Sequence, residues 1–449
     1  MTFKISEELV NQVEELISND ERSEVLDLLN QYHYADIAEI LEELNFEQAV
    51  YVIKLLDSEK TSDILSEIDE DIREKILQNL SEQEIAKEIE ELDTDDAVDI
   101  ISELPEDRQQ VVLDEIKDEE LKADIEELLT YDEYSAGGLM ATELVKVNEN
   151  WSVNECVREM RIQAAEVTRV HSIYVVDNDG KLIGRLSLKD LLIAPDEEKI
   201  ANVYIPRVDY VNVDEQAEDV ARLMQKYDLE AIPVVDDDKV LKGRITIDDI
   251  VDVIKEEAEK DYQMAAGFTQ VVEVSDTILE LTRARLPWLF LGLMGGIGAA
   301  LIMGDFEAML QNHAVLFFFT PLIAAMAGNV GVQSSAIIVQ GLANDDVKGS
   351  INKRLLKEML LAALNGVILA MFLLLFVWAW ENNIYTALAI SVSLIVVIIV
   401  AGIIGTFVPL FLDKRGIDPA IATGPFITTS NDIFGILIYF WIAKVILQI

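Results

Sequence analysis

The sequence predicts a multidomain membrane protein with three parts: an all-α superhelical N-terminal domain, a tandem pair of α/β units and a five-helix transmembrane domain. Three observations carry this reading. Acidic charge is confined to the first part of the chain, the apolar period changes from helical to strand-like near residue 144, and five long apolar runs follow residue 285. The boundaries this implies are 1–130, 131–256, a connecting helix at 257–285, and 286–449.

Of a formal net charge of −48, almost all precedes Trp288: 28 Lys+Arg stand against 74 Asp+Glu there, and 7 against 9 afterwards. A surface this acidic argues against nucleic acid as a partner, because phosphate binding needs Lys and Arg. Dense carboxylate suits either plain solvation or divalent cations. The single cysteine, Cys156, allows no intrachain disulfide and reads as a buried structural thiol. The three histidines have no ligand-like spacing, and MTFKISEELV lacks the basic start and apolar run of a signal peptide.

Residues 1–130 read as helices. Ile37, Ile40, Leu41 and Leu44 fall at i, i+3, i+4 and i+7, and Ala97, Ile100, Ile101 and Leu104 repeat that spacing. Short apolar stripes between acidic turns predict a stacked array of small helices. Within it, LDTDDAVDI gathers Asp93, Asp95, Asp96 and Asp99.

The next segment is duplicated. IYVVDNDGKLIGRLSLKDLL (173–192) aligns with IPVVDDDKVLKGRITIDDIV (232–251), and LVKVNENWSVNECVREM (144–160) with VDYVNVDEQAEDVARLM (208–224). Each unit reads strand, helix, strand, turn, strand, helix, and the pair resembles cystathionine-β-synthase-type (CBS) domains. The G-x-x-[S/T]-x-x-D ending of that family is present as Gly184–Ser187–Asp190 and Gly243–Thr246–Asp249. By this resemblance Asp190, Asp249 and Arg185 are candidate nucleotide contacts, with ATP as ligand; Arg185 and Arg244 stand where the family has an apolar residue. A CBS pair serving only packing and dimerisation remains the alternative.

TIDDIVDVIKEEAEKD (246–261) places Asp248, Asp252, Glu256 and Glu259 along one helical face. Like charges at this spacing cost a helix roughly 0.2–0.5 kcal/mol per pair unless water or a cation intervenes. If this face met the Asp93–Asp99 knot, repulsion at low cation and bridging at high cation would make a two-state element. Residues 261–285 read as a mixed helical stretch leading to the first span, with Arg283 and Arg285 placed to anchor at headgroups.

The spans lie near 286–304, 314–341, 358–380, 386–411 and 421–447, each long enough to cross a bilayer, which takes about 20 residues. Lys348, Lys353, Arg354 and Lys357 follow span two, Lys414 and Arg415 follow span four, and the other two loops hold no Lys or Arg. The positive-inside rule therefore puts the acidic region in the cytoplasm and the C-terminus outside. Asp432 falls inside the last span, where a carboxylate costs roughly 2.5–3.5 kcal/mol and usually faces a pore or a partner. A helix cap at Ser430 or Asn431, with Asp432 at the helix's positive end, is the competing reading. In span two, Asn329 and Gln333 share a face, with Gly328 and Gly331 beside them; interhelical packing is the alternative there. Glu358 and Lys444 sit near span ends and read as snorkelling. A lone carboxylate with amides and hydroxyls suits a hydrated hard cation such as Mg²⁺.

The whole layout resembles the MgtE-type magnesium channels. The motifs are Gly328-Asn329-Val330-Gly331-Val332-Gln333 and the run Asp418-Pro419, Gly424-Pro425, Thr428 and Asp432; Val330 and Ala327 depart from the family's Ala and Gly. The resemblance implies a homodimer in the cell membrane that passes Mg²⁺ and closes when cytosolic Mg²⁺ fills its acidic interfaces. It implies Asp432 as the holder of hydrated Mg²⁺, with Asn329 and Thr428 nearby; Gln333 and Asn431 complete the polar group. It also implies Asp248, Asp249, Asp252, Glu256, Glu257 and Glu259 as sensor ligands, alongside the Asp93, Asp95, Asp96 and Asp99 knot. The expectation is passive Mg²⁺ conduction without covalent catalysis, and the chain carries no P-loop motif. The alternatives are a secondary transporter for Mn²⁺ or Co²⁺ and a membrane-anchored nucleotide sensor.

Overall fold

The computed structural model describes residues 5–448 apart from 166, 168, 274–275, 344–346, 348–349 and 423. Lys348, one of the orienting cations, lies outside the described residues. The chain divides into two compact units, Met1–Ile254 and Lys255–Ile449.

The first unit begins with ten short helices: α1 (Glu7–Ser18), α2 (Arg22–Leu29), α3 (Tyr34–Glu43), α4 (Phe46–Ile53), α5 (Ser58–Glu67), α6 (Glu70–Leu77), α7 (Glu82–Ile89), α8 (Thr94–Ser102), α9 (Glu106–Glu115) and α10 (Glu119–Leu128). Part of the acidity has a local purpose. A helix leaves its first backbone N–H groups unbonded, and carboxylates there meet both the donors and the dipole. Glu7 and Glu8, Asp95 and Asp96, Glu106 and Asp107, and Glu119 and Glu120 occupy such first turns. Asn45 with Gln48 and Ser81 with Glu84 close reciprocal capping boxes. Alternate helices stack, α3 on α5, α5 on α7 and α7 on α9, which is the predicted superhelical array.

The duplicated units follow. The first comprises β1 (Val145–Asn148), α11 (Val153–Gln163), β2 (Ile173–Val176), β3 (Leu182–Leu186) and α12 (Leu188–Ile193). The second comprises β4 (Val211–Asn212), α13 (Ala217–Tyr227), β5 (Ala231–Val235), β6 (Leu241–Thr246) and α14 (Ile247–Ala266). Each sheet pairs its first two strands in parallel and its last two antiparallel. The register slips at the equivalent place in both, between Val175 and Val176 and between Val234 and Val235. The duplication therefore extends to a structural irregularity. Cys156 is fully buried in the first unit's own core, as the sequence predicts. The second unit instead shares one continuous core with the helical array.

The second unit holds α15 (Ile278–Asp305), α16 (Glu307–Asn312), α17 (Val315–Ala343), α18 (Ile351–Glu381), α19 (Ile384–Asp413) and α20 (Gly424–Leu447). All of these except the short α16 are long and apolar enough to cross a membrane. In α19, 56 % of the most apolar stretch is buried against 6 % in α15, so α19 is the bundle's centre and α15 its edge. The connecting stretch differs from the sequence reading. Helix α14 ends at Ala266, Gly267 takes φ +94°, and a new helix starts behind the Thr277–Glu280 capping box. Only glycine adopts that φ without strain. The loop between is held by Gln263, whose side chain donates to the Val272 carbonyl at 2.8 Å and accepts from its N–H at 2.7 Å.

Candidate functional site

Helix α20 begins at Gly424, so Ser430 and Asn431 lie well inside it and cap nothing. The reading of Asp432 as a first-turn residue fails for the same reason; its carboxylate stands in mid-helix. What surrounds it is set by small residues. A Cβ on Gly328 would meet Asp432 Oδ1 at 3.7 Å and Thr428 Cγ2 at 3.6 Å, so α17 and α20 cross with Asp432 and Thr428 laid against the Gly328 backbone. Asn329 and Gln333, which flank this point on α17, are exposed in the single chain. Thr428 is less open than its sequence position implies, because its hydroxyl lies 3.2 Å from the Gly424 carbonyl and 3.1 Å from that of Pro425.

Asn431 corrects the sequence reading. It is 1 % exposed and packs into the helix crossing, with its amide nitrogen where a Gly331 Cβ would stand, 1.8 Å away. It does not join Asn329 and Gln333. Neither end of its amide has a hydrogen-bond partner among the described residues, a costly state for a buried amide. Around it the backbones nearly touch: a Cβ on Gly405 would come within 2.3 Å of the Gly331 carbonyl, and one on Gly295 within 2.1 Å of Thr429. Helix α20 is thus held by α15, α17 and α19 at once. Such small-residue seams are how membrane helices approach closely.

Glu358 also corrects its reading. It accepts a 2.6 Å hydrogen bond from the Ser334 hydroxyl and lies 3.3 Å from where a Gly402 Cβ would be, so it ties α18 to α17 and α19 rather than snorkelling. Lys444 is exposed. At the head of α20, a Cβ on Gly424 would strike the Ala265 carbonyl at 2.3 Å, and one on Gly267 would strike Pro425 at 2.6 Å. The end of α14 therefore abuts the start of α20. Arg285 is exposed and sits over the Phe268 ring at 5.3 Å. Lys260 pairs with Glu257 at 2.9 Å, and its amine is held above its usual range by Glu257 and by nearby Asp418.

In the first unit the Asp93–Asp99 knot does face the start of α14. Loss of solvent and neighbouring carboxylates, Asp249 among them, push Asp95 well above the usual range, and desolvation raises Asp96 and Asp99 to about 7. Asp249 accepts from the Thr246 N–H at 3.0 Å and hydroxyl at 2.7 Å, and that hydroxyl also touches Asp248. Asp249 is therefore engaged in the acidic junction, while Asp190 in the first CBS unit is half-buried and Arg185 exposed. Asp248, Asp252, Glu256 and Glu259 line the open face of α14. Among the described residues no three His, Cys, Asp or Glu side chains form a ready-made metal cage. The donors are nevertheless all oxygen, and crowded carboxylates short of counter-charge fit a hard divalent ion.

Three groups have no signature in the sequence. Thr94 donates its N–H and hydroxyl to Glu143 at 3.2 and 2.9 Å. Thr142 donates its N–H to Thr94 Oγ1 at 2.8 Å and its hydroxyl to Asp124 at 3.0 Å. Arg73 bonds Glu103 through Nε at 2.9 Å and the Leu65 and Ser66 carbonyls at 3.1 and 3.2 Å. Each joins residues far apart in sequence, which no local pattern reveals.

Five apolar spans behind a polar helical array and a CBS pair define a multi-pass membrane transport protein with an intracellular N-terminal region. Comparison with known families agrees: residues 320–442 match the MgtE divalent cation transporter model, 32–134 the MgtE intracellular N domain, and 136–197 and 200–256 the CBS domain. The chain is 37 % identical over 321 residues to the magnesium transporter MgtE of Enterococcus faecalis, covering 71 % of each chain. It is 35 % identical over 325 residues to that of Thermus thermophilus, again over 71 % of each. A solved cytosolic domain of the Mg²⁺ channel MgtE in complex with ATP matches 54 % of this chain and 99 % of its own, at 34 % identity and a TM-score of 0.51. The chain belongs to the MgtE family of magnesium transporters.

Proposed function

We propose that the protein is a homodimeric Mg²⁺ channel of the cell membrane, conducting passively inward and closed by cytosolic Mg²⁺ bound at its acidic junction. The observation that carries this is Asp432 lying against Gly328 inside the last apolar helix, with exposed Asn329 next to Gly328. Asp432 would hold an ion that keeps its water, since Mg²⁺ sheds its hydration shell reluctantly and a single carboxylate can bind it through retained waters. Asn329, Gln333 and Thr428 offer oxygens to those waters. A second copy supplies the other half of the path, consistent with one such carboxylate per chain. The C-terminus lies outside, as the distribution of Lys and Arg directs.

Regulation is carried by Asp93, Asp95, Asp96, Asp99, Asp248, Asp249, Asp252, Glu256, Glu257 and Glu259. Bound Mg²⁺ relieves repulsion at the junction, and the contact of Ala265 and Gly267 with Gly424 and Pro425 passes the change in α14 to α20. ATP, the ligand of the related cytosolic domain, would contact the first CBS unit at Asp190 and Arg185, while Asp249 is committed elsewhere. The test is Mg²⁺ flux into proteoliposomes. Asp432→Ala should abolish Mg²⁺ flux or its preference over Ca²⁺ while leaving the protein folded; wild-type flux and preference in that variant would remove the proposed path.

A further inference from the structure

Arg244 occupies a position in β6 where four consecutive residues, Gly243 to Thr246, are buried, and its side chain is itself only 7 % exposed. A buried cation persists only when its charge and donors are matched. Here Nε donates to the Glu143 carbonyl at 2.5 Å, and Nη2 lies 3.5 Å from Asp93 Oδ2. Its backbone exchanges hydrogen bonds with Ala141 at 2.9 Å in both directions, so the strand holds the side chain's root in place. Its charge also acts on Asp249. Asp93 opens α8 on the helical array, whereas Asp249 belongs to α14 at the end of the second CBS unit. One fixed positive charge therefore stands between the two acidic groups, beside the Thr94, Thr142 and Glu143 hydrogen bonds.

We propose that the Arg244 guanidinium is a tethered cation filling one cation position of this acidic junction. It offsets part of the carboxylate repulsion before any divalent ion arrives, favouring the docked arrangement of the helical array on the second CBS unit, and it reduces the number of ions needed to complete docking. The first half of this inference stands on the ion pair alone; the second rests on the regulatory Mg²⁺ reading above.

The test is amide hydrogen exchange of the full chain in detergent, following residues 93–101 and 241–252 in EDTA and in rising Mg²⁺. Arg244→Leu removes the charge and keeps an apolar side chain suited to a buried strand; Arg244→Lys keeps a charge. In EDTA, Arg244→Leu should exchange about tenfold faster at both segments, the factor equivalent to about 1.4 kcal/mol. Arg244→Lys should retain most of the protection. With Mg²⁺ the Leu variant should regain protection along a steeper curve with a midpoint several-fold higher. Unchanged protection in EDTA would overturn the proposal, and so would a lower Mg²⁺ midpoint, which would make Arg244 a competitor of the ion. Exchange at 173–186 in the first CBS unit reports whether the variant has folded. Should it not fold, Asp93→Asn breaks the same pair from the more exposed side and must reproduce the loss in EDTA. If no variant and no wild type responds to Mg²⁺, the regulatory reading fails, while the EDTA comparison still decides the tether.

Discussion

Replacing Gly331 by Ala probes the crossing on which Asp432 depends. The added Cβ would lie 1.8 Å from the Asn431 amide nitrogen and 2.8 Å from Ile427 Cγ2. Both distances are below any real contact, so α17 and α20 must separate or Asn431 must turn. Asn431 is itself 1 % exposed, so turning it displaces its buried neighbours. Overpacking of this kind costs typically about 1–3 kcal/mol, which in a unit of this size lowers Tm by roughly 2–4 °C per kcal/mol. Gly331→Ala should therefore melt about 4–8 °C lower at a cost near 2 kcal/mol, and its Mg²⁺ flux should fall as the Gly328–Asp432 contact opens. The obstacle is a side-chain end, so Asn431→Ala in the same chain should recover stability and give a double-mutant coupling of about 1 kcal/mol or more. Gly405→Ala is the contrast. Its Cβ would meet the Gly331 carbonyl at 2.3 Å, a backbone atom that Asn431→Ala cannot move, so no rescue is expected. The measurements are thermal unfolding of the full chain in detergent and flux in liposomes. A Gly331→Ala protein as stable as wild type, or strictly additive effects with Asn431→Ala, would refute the crossing geometry.

Two more outcomes follow from individual side chains. Burial pushes the Cys156 thiol up to about 11 from a usual 9, so its reactive thiolate is about a hundredfold scarcer than in a free thiol. Iodoacetamide should label the folded chain at pH 8 at least that much more slowly than the urea-unfolded chain; equal rates would show the thiol exposed. The sign for stability is also fixed. A raised thiol pKa favours the folded state fully below pH 9, and that contribution is lost as pH rises through 9 toward 11. Glu358→Ala should cost about 1–3 kcal/mol by leaving the buried Ser334 hydroxyl without its acceptor, whereas Glu358→Gln keeps a carbonyl oxygen there and should cost much less. Equal melting temperatures for the two variants would show that the 2.6 Å bond contributes nothing.

The division between sequence and tertiary structure follows range. Helical periods, capping boxes, the repeated strand pattern and span length are written within a few residues of one another, so the array, the duplicated CBS units and five spans were legible from residue order alone. The orientation expected from Lys353, Arg354, Lys357, Lys414 and Arg415 is of the same kind, since it depends on counting charges between apolar runs. The break at Gly267 is hidden in the sequence because the stretch around it mixes apolar and polar residues as a helix does. The residue that leaves no room there for a side chain is Pro425, more than 150 residues away. Spacing could put Asn431 and Asp432 on neighbouring helical positions but not say which of the two faces the Gly328 backbone. That choice was made by how closely α17 can approach α20, which depends on Gly328 and Gly331 meeting particular side chains across the crossing. Likewise Arg244 reads as an oddity in an apolar strand until the fold brings Asp93 to it. Local sequence determines which elements form, because their hydrogen bonds and apolar faces are short-range; the partners of buried polar groups are decided only when distant backbones close on one another.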